Sequence, residues 1–133
     1  MRDLARDASG SVAIIFSLAA PVLLIAAGSA IDYTRLVGSR SALQNVVDGA
    51  ALAGAQALRL ANATSATVDQ AVASYVDSHG GAADSSLRVT SSLTANNTVV
   101  TVQGSRVAPS VVSHFVGLIN MRVDARAQAR AVG

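Results

Sequence analysis

The chain has 133 residues, of which 51% are apolar, 14% are charged and none is cysteine. This length suits one small domain plus a membrane segment, because a separate core needs on the order of 50 residues or more. The lack of cysteine excludes disulfides, zinc–thiolate sites and thiol nucleophiles. The net charge is +2, but the arginines are scattered and aromatic residues make up only 3%, so nucleic-acid binding is not expected.

The first predicted element is an apolar segment that carries no charged residue from Ser11 to Ile31, a run of 21 positions. A helix of that length spans about 30 Å, the thickness of a bilayer core. A cleaved secretory signal and a buried core helix are the alternatives. The run exceeds the usual signal-peptide core of about 7–15 residues and is too evenly apolar for a core helix. A single-pass membrane anchor is therefore the favoured interpretation.

These features divide the chain into a cytoplasmic tail (1–10), a transmembrane helix (11–31) and a small extracytoplasmic domain (32–133). Pro21 lies inside the span and predicts a kink near residues 17–21, because proline removes a backbone donor and clashes with the preceding turn. Arginines flank both ends of the span, so the positive-inside rule gives a tie. We place the N-terminus inside, since a short tail followed by a larger exported domain is the simpler insertion.

Beyond the span, apolar and small residues continue at helical spacing, which predicts one long helix from about Ser11 to about Leu60. The residues of this stripe are Leu36, Leu43, Val47, Ala50, Gly54 and Leu58. One side of it forms what we call the small-residue face, which consists of Gly49, Ala50, Ala53, Gly54 and Ala57. Such a face lets another element approach closely, and it fits packing on the chain's own domain as well as contact with a partner.

The rest of the chain predicts a second helix from about Ser65 to Ser78, two strands joined by a turn at 95–97, a short helix after Pro109 and a final strand from Met121 to Val132. In that last strand small apolar residues alternate regularly with Arg, Asp and Gln, which indicates one buried and one solvated sheet face. The predicted class is α+β: a long N-terminal helix, a second helix and a three-stranded antiparallel sheet with a short crossing helix.

Catalytic patterns are missing from the sequence. His79 and His114 are the only histidines, and neither has acids at metal-ligand spacing, although Asp77 is near His79. No nucleophile elbow, Ser-x-x-Lys pair or phosphate-binding glycine loop occurs. The sequence therefore predicts neither an enzyme nor a bound cofactor or metal.

The N-terminal 60 residues resemble the TadE/TadG-like proteins of the bacterial Tad (Flp) pilus-assembly system. The resemblance rests on a glycine before the apolar run, a central proline, an Asp-Tyr pair at its exit and a later Leu-Gln-Asn…Asp-x-Ala-Ala-Leu-Ala pattern. These are Gly10, Pro21, Asp32-Tyr33, Leu43-Gln44-Asn45 and Asp48-Gly49-Ala50-Ala51-Leu52-Ala53. The resemblance implies a pilin-like fold and a location in the bacterial inner membrane. It also implies a membrane-anchored, pseudopilin-like or accessory subunit. Its expected partners are other Tad components or pilin-like subunits, contacted through helix packing in a homo- or hetero-oligomer.

In processed members of such families a prepilin peptidase cuts after the glycine, so Gly10–Ser11 is the matching bond here. Prepilin-type members carry Glu five residues past the cut, where this chain has Ile15. That departure points to the uncleaved TadG-like branch. The von Willebrand A-type domain of larger TadG-like proteins does not fit within this length. A membrane-tethered ligand-binding or sensory domain, and a soluble domain whose leader is removed, are the alternative functions.

Overall fold

The computed structural model describes residues 4–60, 62–94, 96, 98–108, 110 and 121–131, with side chains from residue 10 onward. Helix α1 and helix α2 are followed by a short π-helical turn and three strands, in an α+β arrangement that confirms the predicted class. The bounds are α1 Leu4–Ala57, α2 Ser65–Val76, the turn Asp77–Gly81, β1 Arg88–Thr94, β2 Val99–Ala108 and β3 Met121–Arg130. The short helix predicted after Pro109 lies outside the described residues.

Helix α1 is continuous over 54 residues, so the predicted long helix is confirmed. It begins at Leu4 instead of Ser11 and ends at Ala57 instead of Leu60. The chain leaves the helix through a tight turn in which the Leu60 N–H donates to the Ala57 carbonyl. Asn62 follows with φ of 65°, a left-handed conformation that asparagine tolerates better than most residues.

Helix α2 has capping residues at both ends. The Thr64 hydroxyl accepts from the Thr67 N–H, and the Thr67 hydroxyl in turn accepts from the Thr64 N–H. This reciprocal pair satisfies two N-terminal donors that have no helical acceptor. At the other end Gly80 takes φ of 98°, the left-handed conformation in which glycine commonly ends a helix.

The three strands form one antiparallel sheet in the order β1-β2-β3, with both helices on one face. The turn between β1 and β2 contains Asn96 at φ of 57°. In β3 the side chains of Val123 and Ala125 are buried, while Arg122 and Arg126 are exposed. The predicted alternation of that strand is thereby confirmed, and the sheet has an apolar inner face and a polar outer face.

The core is made of small and medium-sized side chains and depends on a close approach of α1 to the sheet. Leu43 and Val47 of α1 are at most 1% exposed and lie over Gly104 of β2. A Cβ at Gly104 would lie 2.6 Å from Val47 Cγ2 and 3.1 Å from Leu43 Cδ1. A side chain at this position of β2 would therefore force the helix away from the sheet.

A polar cluster ties the connection before β1 to the middle strand. The hydroxyl and the backbone N–H of Ser86 both donate to Asp84 Oδ1, at 2.7 and 2.9 Å. Arg106 Nε lies 2.5 Å from Asp84 Oδ2, in an ion pair whose N–H is not aligned for a hydrogen bond. The Ser86 hydrogen bonds, and then the Arg106 charge, lower the pKa of Asp84 below its ordinary value despite the opposing effect of partial burial. The cluster therefore favours the ionised form of the Asp84 carboxylate. It also fixes the segment before β1 against β2.

Gly54→Leu should destabilise the domain, because a Cβ at Gly54 would already lie 3.0–3.2 Å from methyl groups of Val100, Val72 and Val68. Overpacking of this kind costs about 1–3 kcal/mol. Pulse proteolysis in urea of the detergent-solubilised chain measures the free energy of unfolding. Gly38→Leu is the matched control, since Gly38 has open space around it in the same helix. Equal stability of the two variants would contradict the packing described for Gly54.

Candidate functional site

The N-terminal half of α1 is not covered by the rest of the protein. Its large apolar side chains are 49–73% exposed from Val12 to Ile31, including Phe16, Leu18 and Leu24. The helix from Gly10 to Ala57 is long and apolar enough to cross a membrane, and its best 18-residue window has a mean hydropathy of 2.3 with none of it buried. A core helix would have this surface covered by protein, so this half of α1 presents an apolar surface to its surroundings.

Two serine hydroxyls within this half form hydrogen bonds inside the helix. The hydroxyls of Ser17 and Ser29 donate to the carbonyls four residues earlier, Ala13 and Ile25, at 2.7 and 2.8 Å. Such bonds are needed where no water can reach a hydroxyl. Pro21 lies within the continuous helix and lacks the N–H that would otherwise bond the Ser17 carbonyl. The kink expected there stays a prediction.

Asp32 marks the point at which α1 first contacts the domain. It is 7% exposed, although it directly follows the exposed Ile31 and precedes the exposed Tyr33. Its Oδ2 accepts a hydrogen bond of 2.7 Å from the Ser110 hydroxyl, 78 residues further along the chain. A buried carboxylate is costly unless it is hydrogen-bonded, so this contact both satisfies the charge and attaches the helix to the domain.

Gln44 provides a second polar link between α1 and the sheet. Its side-chain amide donates to Asp48 Oδ1 at 2.7 Å and to the backbone carbonyl of Arg126 at 3.3 Å. Arg126 belongs to β3, an edge strand, whose outward carbonyls have no strand partner in the three-stranded sheet. Gln44 therefore covers one of these groups and fixes the position of β3 along the helix.

The small-residue face packs largely on the chain's own domain. Gly54 lies among valines of α2 and β2, and a Cβ at Gly49 would overlap the Tyr75 hydroxyl at 2.1 Å. Ala50 and Ala57 are buried at 0% and 8% exposure, whereas Ala53 is half-buried. The residues selected for helix packing are thus brought together around α2 and β2, and their use by a partner remains a proposal.

The remaining candidate residues do not form a reactive cluster. Gly10 and Ser11 lie inside α1, well before the first contact with the domain. The His79 ring stacks on Tyr75 with 3.9 Å between ring centroids, and its Nδ1 contacts the Tyr75 carbonyl. Among the described residues, no group of three His, Asp or Glu side chains is placed to hold a metal. His114 lies outside the described residues. The arrangement can anchor and pack, and it offers no catalytic geometry in the described ranges.

Sequence reasoning did not identify the roles of Asp32 and Gln44. In the sequence each stands out only as part of a motif, Asp32 in the Asp-Tyr pair and Gln44 in Leu-Gln-Asn. The available signal was a single acid placed directly at the end of a 21-residue uncharged run, where a carboxylate needs a partner from the domain.

The fold and this site define a class of protein: an α+β domain built on the second half of a helix whose first half is suited to a membrane. A family model described as putative Flp pilus-assembly TadE/G-like matches residues 10–57. The resemblance to the TadE/G-like family is thereby confirmed for that segment, which covers a little over a third of the 133 residues. No curated protein and no solved structure matches the chain significantly. The matched segment ends where α1 ends, so the match lies entirely within this helix.

Asp32→Ala should destabilise the attachment of the domain to α1, because it removes the buried carboxylate that accepts from the half-buried Ser110 hydroxyl. Losing a hydrogen bond to a buried charge costs about 1–3 kcal/mol. Hydrogen exchange at the β2 amides of the detergent-solubilised chain measures the change. Asp32→Asn should lose less, since its amide oxygen still accepts. Asp77→Ala, at an exposed position, is the control, and an equal effect at both positions would refute a special role for Asp32.

Proposed function

We propose that the protein is a membrane-anchored, pseudopilin-like accessory subunit of a Tad (Flp) pilus-assembly or secretion apparatus. Its role is structural: the first half of α1 holds it in the inner membrane, and the domain built on the second half lies on the extracytoplasmic side. Residues 1–10 form the cytoplasmic tail, 11–31 the span and 32–133 the domain. The function requires no cofactor and no catalytic step.

The observation that carries this proposal is the abrupt change in side-chain burial along one continuous helix. Val22 and Leu24 are 64% and 73% exposed, whereas Leu43 and Val47 are at most 1% exposed. A helix with this division holds a domain at a fixed height above a bilayer. The TadE/G-like match lies over this helix and supports a place in pilus assembly.

The proposed partners are other Tad components or pilin-like subunits. Most of the small-residue face already packs on α2 and β2, so partner contact through it is limited to the half-buried Ala53. The uncovered half of α1 is a larger surface, and its small residues Ala19, Ala26, Ala27 and Gly28 allow another helix to approach closely. Association of copies or of different subunits is therefore expected within the membrane.

The alternative, a tethered ligand-binding or sensory domain, would need an enclosed pocket with converging polar groups. The hollows found in the described ranges are open to solvent. One of about 400 Å³ lies on the outer sheet face beside Arg88, Gln103 and Arg126. Open hollows of this kind give the alternative no specific support.

The proposed topology can be tested with single cysteines, because the natural sequence contains none. Ser92→Cys, on the exposed outer face of β1, should react with a membrane-impermeant maleimide in spheroplasts. Ala8→Cys, in the tail, should react only after the cells are lysed. Labelling is measured as a mass increase of the purified chain.

Both cysteines should react fully in detergent, which controls for their intrinsic accessibility. The reverse pattern, with Ala8→Cys labelled in spheroplasts and Ser92→Cys protected, would overturn the proposed orientation. Labelling of both positions in intact spheroplasts, with the chain in the soluble fraction, would overturn membrane anchoring itself.

We expect the natural protein to keep its first ten residues. Ile15 stands where prepilin-type proteins carry Glu, and the Gly10–Ser11 bond lies inside a helix that begins at Leu4. The intact mass of the membrane-extracted protein should therefore be that of the full chain, allowing for the initiator Met. This result favours a permanently anchored accessory subunit.

A mass that lacks residues 1–10 would contradict this expectation and would favour a processed pseudopilin able to enter a filament. Gly10→Leu is the accompanying variant. If no peptidase acts at this bond, the variant and the wild-type protein should both have their full-length masses. If a peptidase does act there, the variant should keep the full-length mass while the wild-type protein loses residues 1–10.

A further inference from the structure

We propose that the domain binds the headgroup of an anionic phospholipid in a groove between α1 and β3, next to the end of the membrane span. This juxtamembrane groove has a volume of about 440 Å³, and its lining includes Tyr33, Leu36, Val37, Arg40, Arg122 and Asp124. The inference rests on the proposed function, since it requires α1 to be anchored in a bilayer.

The lower end of the groove lies at the lipid headgroups, and Arg40, about 13.5 Å beyond Ile31 along the helix axis, leans back toward them from above. Tyr33 and Val37 follow the last residue of the uncharged run, Ile31, by about 3 and 9 Å along the helix axis at 1.5 Å per residue. The headgroup layer extends roughly 5–8 Å beyond the hydrocarbon core on each side. A neighbouring hollow of about 260 Å³ contains Ser29, Tyr33 and Met121, so β3 begins at the same level.

The charge of the groove suits a phosphate. Arg40 and Arg122 line it from opposite sides, one on α1 and the other on β3. Side chains on a helix lean toward its N-terminus, which directs Arg40 toward the membrane. Guanidinium groups bind phosphate oxygens with two parallel hydrogen bonds, so a phosphodiester can bind between Arg40 and Arg122.

Acidic groups near the groove do not cancel this charge. Asp32 is buried and accepts a hydrogen bond from Ser110, so its carboxylate is turned into the domain. Asp124 follows Arg122 by two residues of β3, about 7 Å further from the membrane at 3.3 Å per residue. The two arginines and one exposed aspartate of the lining leave a net positive charge. The Asp124 carboxylate can accept a hydrogen bond from a headgroup hydroxyl.

The groove also has the apolar component that a lipid needs. Tyr33 and Val37 are 67% and 50% exposed, although both are large side chains beside a charged strand. A tyrosine at the end of a span is suited to the interface, with its ring near the glycerol backbone and its hydroxyl in water. The acyl chains would then lie along Ile25 and the other uncovered residues of α1.

The test uses the full-length chain in nanodiscs of phosphatidylcholine that contain a minority of either phosphatidylglycerol or phosphatidylethanolamine. Native mass spectrometry of the released protein measures which lipid it retains. We expect phosphatidylglycerol to be enriched over phosphatidylcholine. Arg40→Gln and Arg122→Gln should each reduce that enrichment by about fivefold, the effect of one basic residue near an anionic surface.

The matched control is the pair Arg59→Gln and Arg130→Gln, which removes the same charge from the turn that follows α1 and from the last residue of β3. Control variants that lose the enrichment equally would overturn the groove as the site. Preferential retention of phosphatidylethanolamine, lost in Asp124→Asn, would also overturn the proposal, because it would show that the aspartate binds an ammonium group.

The same experiment separates this inference from the proposed function. Incorporation into nanodiscs with equal retention of all three lipids would overturn the groove and leave membrane anchoring intact. A chain that fails to incorporate into any nanodisc would overturn both.

Discussion

Helix α1 is continuous, but its first half is exposed and its second half is packed against the domain. The rest of the structure depends on the position of the boundary between these two halves. Up to Ile31 its apolar side chains have no cover from the chain; from Leu43 onward the buried stripe has virtually no exposed surface. Asp32 lies at the start of this change and is the first residue of the helix that the domain encloses. Because a helix is stiff over many turns, the position of this residue sets the position of every later contact.

The sheet packs closely against the second half of α1. Large side chains are rare in this core, so its elements fill the space by packing closer together. Gly104 allows Val47 to contact the backbone of β2, and valines of α2 and β2 pack against Gly54. Polar links at different heights, Asp32 with Ser110 and Gln44 with the Arg126 carbonyl, prevent the helix from sliding along the sheet. Apolar packing alone tolerates such sliding, since one small residue resembles the next.

Local periodicity made much of this fold predictable. The helical stripe through Leu43 and Val47 and the alternation of β3 are patterns within a short stretch of sequence, and both are observed. Local patterns do not show which element packs against a given surface. The glycines and alanines of the small-residue face show that something approaches closely, but Tyr75 fills the space at Gly49 from a separate helix. Asp32 and Ser110 are 78 residues apart, and no local rule connects them.

The internal use of the small-residue face has a consequence for assembly. If this face joined subunits, it would first have to leave α2 and β2, exposing Val68, Val72 and Val100, which are at most 4% exposed. At about 25 cal/mol per Å² of apolar surface, exposing several such side chains costs more than a small interface returns. The outer sheet face and the uncovered half of α1 carry no such cost. Of these two, only the helix offers a continuous apolar surface, and the family match lies over it. The proposed association inside the membrane, with the domains side by side above it, would therefore leave the folded domain unchanged.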